Sequence, residues 1–256
     1  MKVLVCKPLE QAGFVNGFST RVGGVSDFPD KSLNLAGFDE DLAENIYENR
    51  RRFLNALGAD LKLATAWQVH GDGVKVVATD EAIANSEERF DGLVSRMQGV
   101  LVGVKTADCV PILIGDIRNK AFAAVHAGWR GTVRSIVVRA IEKMQADFGC
   151  EPQDMIAAIG PAAGCKNYEI GLDVIQEFTS AFEGAEKYFS PTSEEHAYID
   201  LHLANKDQLL SCGVPMDAIY TAPYCTMDRI DLFFSYRVER KLFGKTGRLL
   251  SVIGQR

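Results

Sequence analysis

No apolar run in the sequence approaches the roughly 18 residues that a membrane-spanning helix requires. The first apolar run, residues 3–6, is also too short for the core of a signal peptide. Basic residues are outnumbered by acidic ones, 28 to 34, and a net charge of −6 argues against a general affinity for nucleic acid. We therefore expect a cytoplasmic protein that binds neither nucleic acid nor a membrane.

Cysteine pairs of the CxxC type are absent, although the chain has six cysteines. A disulfide framework is typical of a short secreted chain. This chain has 256 residues, 47% of them apolar and 24% charged, as in an ordinary globular enzyme with reduced thiols. No internal repeat or linker divides it. Strands and helices alternate without a regular βαβ rhythm, so we predict an α+β fold: a layered α/β sandwich with mixed β-sheets, one domain over residues 1–256.

The most informative stretch is 99–132, where two apolar runs each lead to a side chain that can bind a metal or act as a nucleophile. The runs 99–105 and 121–125 have the length of buried strands. The first leads to Cys109 and the second to His126. Because both runs are followed by glycine-rich turns or reactive side chains, this stretch predicts an active site.

His70 is a third candidate ligand, since it stands beside a glycine in the motif QVHG. Two imidazoles and one thiolate with a vacant fourth position are the pattern of catalytic zinc, and such a metal activates water near neutral pH. The residues leave a second hypothesis open, in which Cys109 is a thiolate nucleophile, His126 its base, and Asp108 or Asp91 orients the imidazole. Both hypotheses need a deprotonated thiol beside an imidazole.

The turn GWRGT (128–132) leads into the segment 132–148, whose apolar stripe predicts one amphipathic helix. Backbone N–H groups at a helix N-terminus favour anions, and Arg130 adds a fixed charge. The turn therefore predicts a site for phosphate or carboxylate. The alternative is a tight turn that needs its glycines only for geometry.

Residues 14–38 are rich in glycine and polar side chains, which predicts an irregular loop. Segment 41–57 follows a helical period and contains Arg51, which could turn towards an anionic substrate. The polar residues of the loop that could face a ligand are Ser19, Thr20, Arg21, Ser26 and Asn34, of which Ser19, Arg21 and Asn34 are our substrate candidates; the alternative is a solvated loop.

Nine segments match, in order, the motifs of a known family: NGFSTRVGGVS (16–26), SLNL (32–35), ENRRRF (48–53), QVHG (68–71), TADCVPILI (106–114), HAGWRGT (126–132), IGPAAG (159–164), YEIG (168–171) and FFSYR (233–237). Together they resemble the YfiH-type proteins, which are named both polyphenol oxidoreductase (laccase) and purine nucleoside phosphorylase. The resemblance extends from about residue 13 to residue 253. The combination of QVHG, TADC and HAGWRG is its most specific part.

The resemblance implies a zinc site formed by His70, Cys109 and His126 in a layered α/β sandwich. It implies phosphorolysis of adenosine, inosine and methylthioadenosine to the free base and a ribose 1-phosphate, with purine nucleoside and phosphate as the partners, and it also suggests adenosine deamination. We expect the metal and one or more of Arg130, Arg51 and Arg21 to hold the phosphate. For deamination, Asp91 or Glu169 would move the proton.

Two departures from the family pattern bear on the site. Ala162 stands where many members have a cysteine, which argues that this thiol is not needed, and Asn16 replaces a common histidine. The laccase name implies a multicopper cluster, which needs many more histidines than the four present. A single copper remains an alternative occupant, since a His₂Cys set also suits copper.

Three further functions stay open from the sequence. A zinc- or cysteine-dependent amidase or hydrolase could edit a peptidoglycan precursor, as one branch of the family is thought to do. A copper-binding polyphenol oxidase is the second, and a metal-dependent binding protein without turnover is the third. Hydrolysis needs no phosphate, and this separates it from phosphorolysis.

Overall fold

The computed structural model describes residues 2–36, 41–58 and 60–256. In these ranges the strands are β1 (Val3–Leu4), β2 (Val15–Ser19), β3 (Val22–Ser26), β4 (Lys62–Ala64), β5 (Val74–Val77), β6 (Gly92–Ser95), β7 (Val100–Thr106), β8 (Val110–Asp116), β9 (Phe122–Ala127), β10 (Met155–Ile159), β11 (Glu169–Gly171), β12 (Phe189–Pro191), β13 (His196–Ile199), β14 (Ile219–Thr221) and β15 (Leu249–Gln255). The helices are α1 (Lys7–Gln11), α2 (Ala43–Ala56), α3 (Asp80–Ala84), α4 (Trp129–Val133), α5 (Ile136–Phe148), α6 (Leu172–Ala181), α7 (Leu201–Ser211) and α8 (Tyr236–Phe243). Short 3₁₀ turns cover Pro152–Asp154, Ala185–Tyr188 and Met216–Ala218.

Two mixed sheets form the centre of the fold. The first has the order β1-β2-β15-β7-β4, and the second has the order β14-β10-β8-β9-β6-β5. Most neighbours are antiparallel, but β4 runs parallel to β7, β5 to β6 and β10 to β14. A small third sheet has the order β11-β13-β12.

Successive residues of the central strands point into different apolar layers, as the two-residue period of a strand requires. In β7, Val102 packs with Phe14 and Phe122 between the two large sheets, whereas Leu101 packs with Phe53 of α2 on the outer face. Burying each such side chain contributes about 1.5–3 kcal/mol. Both faces of the sheet are covered, which explains why this strand is a continuous apolar run.

The second large sheet is covered on its other face by α5 and α7. Ala123 and Val125 of β9 pack there with Ile141 and Leu209, while Ala124 points to the layer between the sheets. The order of layers is therefore helix, sheet, sheet, helix. The prediction of a layered α/β sandwich with mixed sheets in a single domain is confirmed.

The predicted loop over 14–38 is wrong where β2 and β3 occupy it, whereas residues 27–36 lie outside every helix and strand named above. Gly17 and Gly24 serve close packing rather than turns. A Cβ on Gly17 would lie 2.8 Å from a methyl group of Leu57, and one on Gly24 would lie 2.0 Å from the carbonyl oxygen of Ser32. The last two residues of the predicted loop, 37 and 38, lie outside the described residues.

The single helix predicted over 132–148 is two helices. Ser135 separates α4 from α5 because its φ of 58° is left-handed, a conformation that a right-handed helix does not continue through. Gly149, also left-handed, ends α5 as a C-cap glycine does. No helix in the described ranges is both long and apolar enough to cross a bilayer.

Candidate active site

His70, Cys109 and His126, which we call the ligand cluster, come together in space. Cys109 lies in the turn between β7 and β8, and His126 lies in β9. Because Pro111 of β8 pairs with His126, the turn that carries Cys109 ends beside the imidazole. One potential ligand atom from each residue lies within 4.8 Å of the others. The two imidazole rings meet edge to face, 4.9 Å apart between centroids.

Asp91 holds two members of the ligand cluster at once. Its carboxylate accepts a hydrogen bond from Nδ1 of His126 at 2.8 Å, which leaves Nε2 as the free imidazole nitrogen. It also accepts the backbone N–H groups of Val69, His70 and Gly71 at 3.2, 2.9 and 2.7 Å. These donors stabilise the left-handed backbone of His70, whose φ is 58°.

Asp91 is fully buried and lies outside the cavity lining. Burial alone would raise its pKa, but the hydrogen bond from His126 and the backbone donors outweigh burial, so the pKa lies below its ordinary value. An ionised carboxylate with both oxygens engaged is suited to orienting His126. The structure therefore corrects our expectation that Asp91 moves protons to or from a substrate, and it places Asp91 where the other hypothesis had it, against the imidazole of His126.

Gln68 fastens the segment that carries His70 to the end of β7. Its Nε2 donates to the carbonyl oxygen of Lys105 at 2.6 Å, and its Oε1 accepts the backbone N–H of Lys105 at 2.7 Å. The amide of Gln68 thus bonds both backbone groups of Lys105, as a neighbouring strand would. Our sequence reasoning missed this role, although the motif QVHG contained the residue.

The groups of the ligand cluster shift one another's pKa values. Burial raises the pKa of the Cys109 thiol, but His126 and His70 lower it more, to about 6. Burial lowers the pKa of His126, but Cys109 and Asp91 raise it more, to about 9. In the metal-free protein, Cys109 is therefore a thiolate and His126 an imidazolium near neutral pH. The thiolate is the form that binds metals and attacks electrophiles.

A cavity of about 630 Å³ opens onto Cys109 and His126, a volume in the range of small-molecule sites. Two guanidinium groups in its wall lie over aromatic rings. Arg130 lies 4.2 Å from the ring centroid of Trp129, and Arg237 lies 4.7 Å from that of Tyr168. Aromatic lining residues are Trp67, Trp129, Tyr168 and Tyr236, and basic ones are Arg50, Lys105, Arg130, Arg237 and Arg248.

Among the predicted substrate residues, Arg130 is in the lining and Ser19, Arg21 and Asn34, which we call the scaffold cluster, are not. Ser19 accepts the backbone N–H of Leu250 at 2.9 Å, and Asn34 accepts that of Arg248 at 2.9 Å. These side chains are buried and hold β15 and the segment before it. We therefore do not count them among the residues that contact a ligand.

Arg21 is held by an ion pair with Glu239 of α8 at 2.8 Å, where both side chains are buried. It also donates to the carbonyl oxygens of Ile230 and Phe233 at 2.5 and 3.3 Å. The guanidinium is therefore directed at the protein and not at the cavity. The expectation that Arg21 holds phosphate is corrected accordingly.

Arg51 is exposed and pairs with Glu48 one helical turn earlier, at 2.8 Å. Arg50, its neighbour, lines the cavity instead. Adjacent helical residues point about 100° apart, so the prediction chose the wrong member of the three-arginine run. Glu169 is also outside the lining, where its carboxylate accepts the hydroxyl of Thr192 at 2.7 Å.

The two departures from the family pattern have a place in the structure. Asn16 is buried, and its side chain bonds the backbone N–H and carbonyl of Cys6 at 2.8 and 3.1 Å. Ala162 is fully buried among apolar side chains. Neither residue lines the cavity, so the two substitutions leave its lining unchanged.

Comparison with known proteins gives a consistent result over the whole chain. The family model for "Multi-copper polyphenol oxidoreductase laccase" matches residues 15–256. A purine nucleoside phosphorylase of Staphylococcus aureus (strain COL) is 32% identical, covering 98% of this chain and 95% of that protein. Two crystal structures are similar, each with a TM-score of 0.92. Bacillus licheniformis hypothetical protein YfiH is 30% identical, with 99% of this chain and 96% of that chain covered, and YlmD from Geobacillus stearothermophilus is 34% identical, with 100% and 97% covered.

Proposed function

The chain belongs to the multi-copper polyphenol oxidoreductase laccase family, also called the YfiH family, and from that membership we propose that it is a zinc-dependent purine nucleoside phosphorylase. It would convert adenosine, inosine or methylthioadenosine and phosphate to the free base and a ribose 1-phosphate. The observation that carries this proposal is the ligand cluster at a cavity that also presents aromatic rings and guanidinium groups.

The donor atoms of the ligand cluster fit a catalytic zinc. Two imidazole nitrogens and one thiolate are common zinc ligands, and three protein ligands leave a position for water or substrate. Asp91 behind His126 is the outer carboxylate that typically orients such a histidine. When bound, the metal would supply a Lewis acid that polarises an oxygen next to it.

The same donor set argues against a multicopper laccase. Of the four histidines, His202 bonds the carbonyl oxygen of Gly160 and His196 lies with Ser193, so only His70 and His126 reach the cavity. Two imidazoles cannot supply a cluster of several coppers. A single copper remains the alternative occupant that the chemistry of the donors allows.

The other residues of the cavity suit the two substrates of phosphorolysis. Arg130 lies on Trp129, so its guanidinium is already ordered before a phosphate dianion arrives. Arg237 is similarly fixed by Tyr168 and by a 3.0 Å hydrogen bond to the carbonyl oxygen of Glu169. The aromatic rings supply flat surfaces for the purine, so the chain would hold phosphate beside C1′ of the ribose as the glycosidic bond breaks.

Deamination has less support than phosphorolysis. Zinc deaminases use a carboxylate that exchanges protons with the reacting base. Asp91 is engaged behind His126, and Glu169 lies outside the lining. We therefore base the proposal on phosphorolysis.

A hydrolase, such as one that edits a peptidoglycan precursor, is the second candidate. Asp91, His126 and Cys109 follow one another as orienting acid, base and thiol, which is the order of a cysteine nucleophile site. This chemistry would proceed without phosphate and without metal. Alkylation of metal-free Cys109 by iodoacetamide, with protection by stoichiometric zinc, would show that both chemistries compete for one thiol.

The decisive experiment follows release of free base from adenosine and inosine, with and without phosphate, by protein of known metal content. Release that requires phosphate and scales with zinc supports the phosphorylase. Stoichiometric zinc without phosphorolysis contradicts it, and base or amide release without phosphate favours the hydrolase. Copper-loaded and zinc-loaded protein, compared in the same assay and with a phenolic substrate, identify the metal that serves the reaction.

A further inference from the structure

Asp108, the residue before Cys109, is a buried carboxylate with no role in the chemistry proposed above. The residue belongs to the cavity lining but is only 7% exposed. Its φ is 82°, in the left-handed region. A residue with a side chain keeps this conformation where the surroundings hold it, and such residues concentrate at functional sites.

The groups that hold Asp108 come from segments far away in the sequence. The hydroxyl of Thr226 donates to its Oδ1 at 2.7 Å. The hydroxyl of Ser235 and the backbone N–H of Arg237 donate to its Oδ2 at 3.0 and 2.7 Å. Its backbone carbonyl accepts the N–H of Ala163 at 2.9 Å. One residue therefore fastens three separate segments to the turn that carries Cys109.

The segment bound through Ser235 forms a wall of the cavity. Ser235 caps α8 by accepting the N–H of Val238 at 3.3 Å, and the two residues that follow it, Tyr236 and Arg237, line the cavity. The carboxylate of Asp108 thus spans the distance between the metal-binding thiol and that wall. Neither hydroxyl donor is itself in the cavity lining, so these bonds serve the position of the two elements.

We propose that Asp108 is a positioning residue that holds Cys109 in register with the Tyr236–Arg237 wall. The affinity of the ligand cluster for a metal therefore depends on hydrogen bonds donated by Thr226 and Ser235. This inference rests on the metal site of the proposed function but not on phosphorolysis. The segment that contains Thr226 and Ser235 would then support metal binding, although it supplies no ligand.

Two substitutions separate the carboxylate from the backbone conformation. Asp108→Asn keeps the size and the tolerance for a left-handed φ, but it places an amide NH₂ against a donor. Thr226→Val keeps the shape of the partner and removes one hydrogen bond. Met144→Ala, a truncation at a fully buried position in α5, is the matched control, because the cavity it leaves should lower the melting temperature without removing any of these hydrogen bonds.

Zinc affinity by chelator competition is the first measurement. Changing an outer partner of a metal ligand typically costs about 10–100-fold in affinity, and we expect a loss of that size for Asp108→Asn. Thr226→Val should lower the zinc affinity by a smaller factor. If Asp108→Asn does not fold, this variant still tests whether the hydrogen bonds of Asp108 support zinc binding. Ser235→Ala added to Asp108→Asn should cause little further loss, since both remove one network.

Cobalt(II) gives a second readout that a general loss of stability would not move. We expect Asp108→Asn to weaken or shift the thiolate-to-cobalt absorption, and Met144→Ala to leave it unchanged. The inference is overturned if Asp108→Asn and Thr226→Val keep wild-type zinc affinity and spectrum, or if Met144→Ala changes both equally. Absence of phosphorolysis with a zinc affinity that still depends on Asp108 would overturn the proposed function alone.

Discussion

The ligand cluster and the scaffold cluster use similar polar side chains in opposite ways. His70, Cys109 and His126 direct their donor atoms at one another, within 4.8 Å. Ser19 and Asn34 accept from backbone groups more than 200 residues away in the sequence, and Arg21 donates to backbone carbonyls and to the carboxylate of Glu239 at a similar separation. Side chains that meet one another can share a metal or a proton, whereas side chains that meet distant backbone groups close the fold.

This difference makes the two clusters separable by experiment. Substitution in the ligand cluster should remove function from a protein that still folds, because the buried strands around it remain. Substitution in the scaffold cluster should lower the free energy of unfolding, because it leaves buried polar groups without partners. A ligand-cluster variant that only lost stability, or a scaffold-cluster variant that only lost function, would contradict this division.

Cys109→Ala should have the largest effect on function. Removing a ligand should cost more than the about 100-fold loss typical of an outer partner, so we expect metal and turnover to disappear together. Metal analysis beside an inosine phosphorolysis assay checks this. Full turnover by a metal-free variant would contradict the zinc mechanism, and circular dichroism would show whether the fold is retained.

Arg21→Ala should have the largest effect on stability. Removing one partner of a buried ion pair typically costs about 3–5 kcal/mol, and here it leaves Glu239 buried without its guanidinium. Urea denaturation measures the loss. Turnover per folded molecule should stay near that of the wild type, and a raised KM for phosphate with unchanged stability would return Arg21 to the substrate site.

The strands that deliver Cys109 and His126 were predictable because β7 and β9 are buried on both faces. That burial requires a continuous apolar run, which the sequence shows directly. The strands β2 and β3 were missed because their glycines resemble turn residues. Only the packed structure shows that Gly24 allows the chain to approach Ser32.

Roles within the candidate site were harder to predict than its members. His70, Cys109 and His126 were named from side-chain chemistry and family resemblance, and the fold brings them together. The choice of Arg51 over Arg50 depended on the rotation of α2, which is set by packing that a helical period does not specify. Asp91 was named both for proton transfer and, with Asp108, as a candidate to orient the imidazole; it contacts His126, and its other partners are backbone groups 20–22 residues away that no local pattern reveals.

Asp91→Asn tests whether a residue outside the cavity lining contributes to metal binding by the ligand cluster. We expect zinc affinity to fall about 10–100-fold, because an amide has only one acceptor oxygen. If that oxygen keeps the hydrogen bonds from His126 and from the N–H of His70, the NH₂ group faces the N–H groups of Val69 and Gly71. Chelator competition measures it. Glu169→Gln is the control carboxylate outside the lining, and it should leave zinc affinity and turnover unchanged. Equal effects from the two variants would show that Asp91 does not support metal binding by the ligand cluster.

Arg130→Ala should give the smallest loss, and it tests the proposed binding of phosphate by the cavity. A hydrogen bond to a charged group contributes about 1.5–3 kcal/mol, so we expect the KM for phosphate to rise at least about 10-fold while the KM for inosine changes little. Arg51→Ala is the matched control, because this exposed arginine pairs with Glu48 outside the lining and surface pairs contribute about 0–1 kcal/mol. An unchanged phosphate KM in Arg130→Ala, or an equal rise in Arg51→Ala, would show that phosphate binds elsewhere. The guanidinium stacked on Trp129 would then be, like Arg21, a residue of the scaffold.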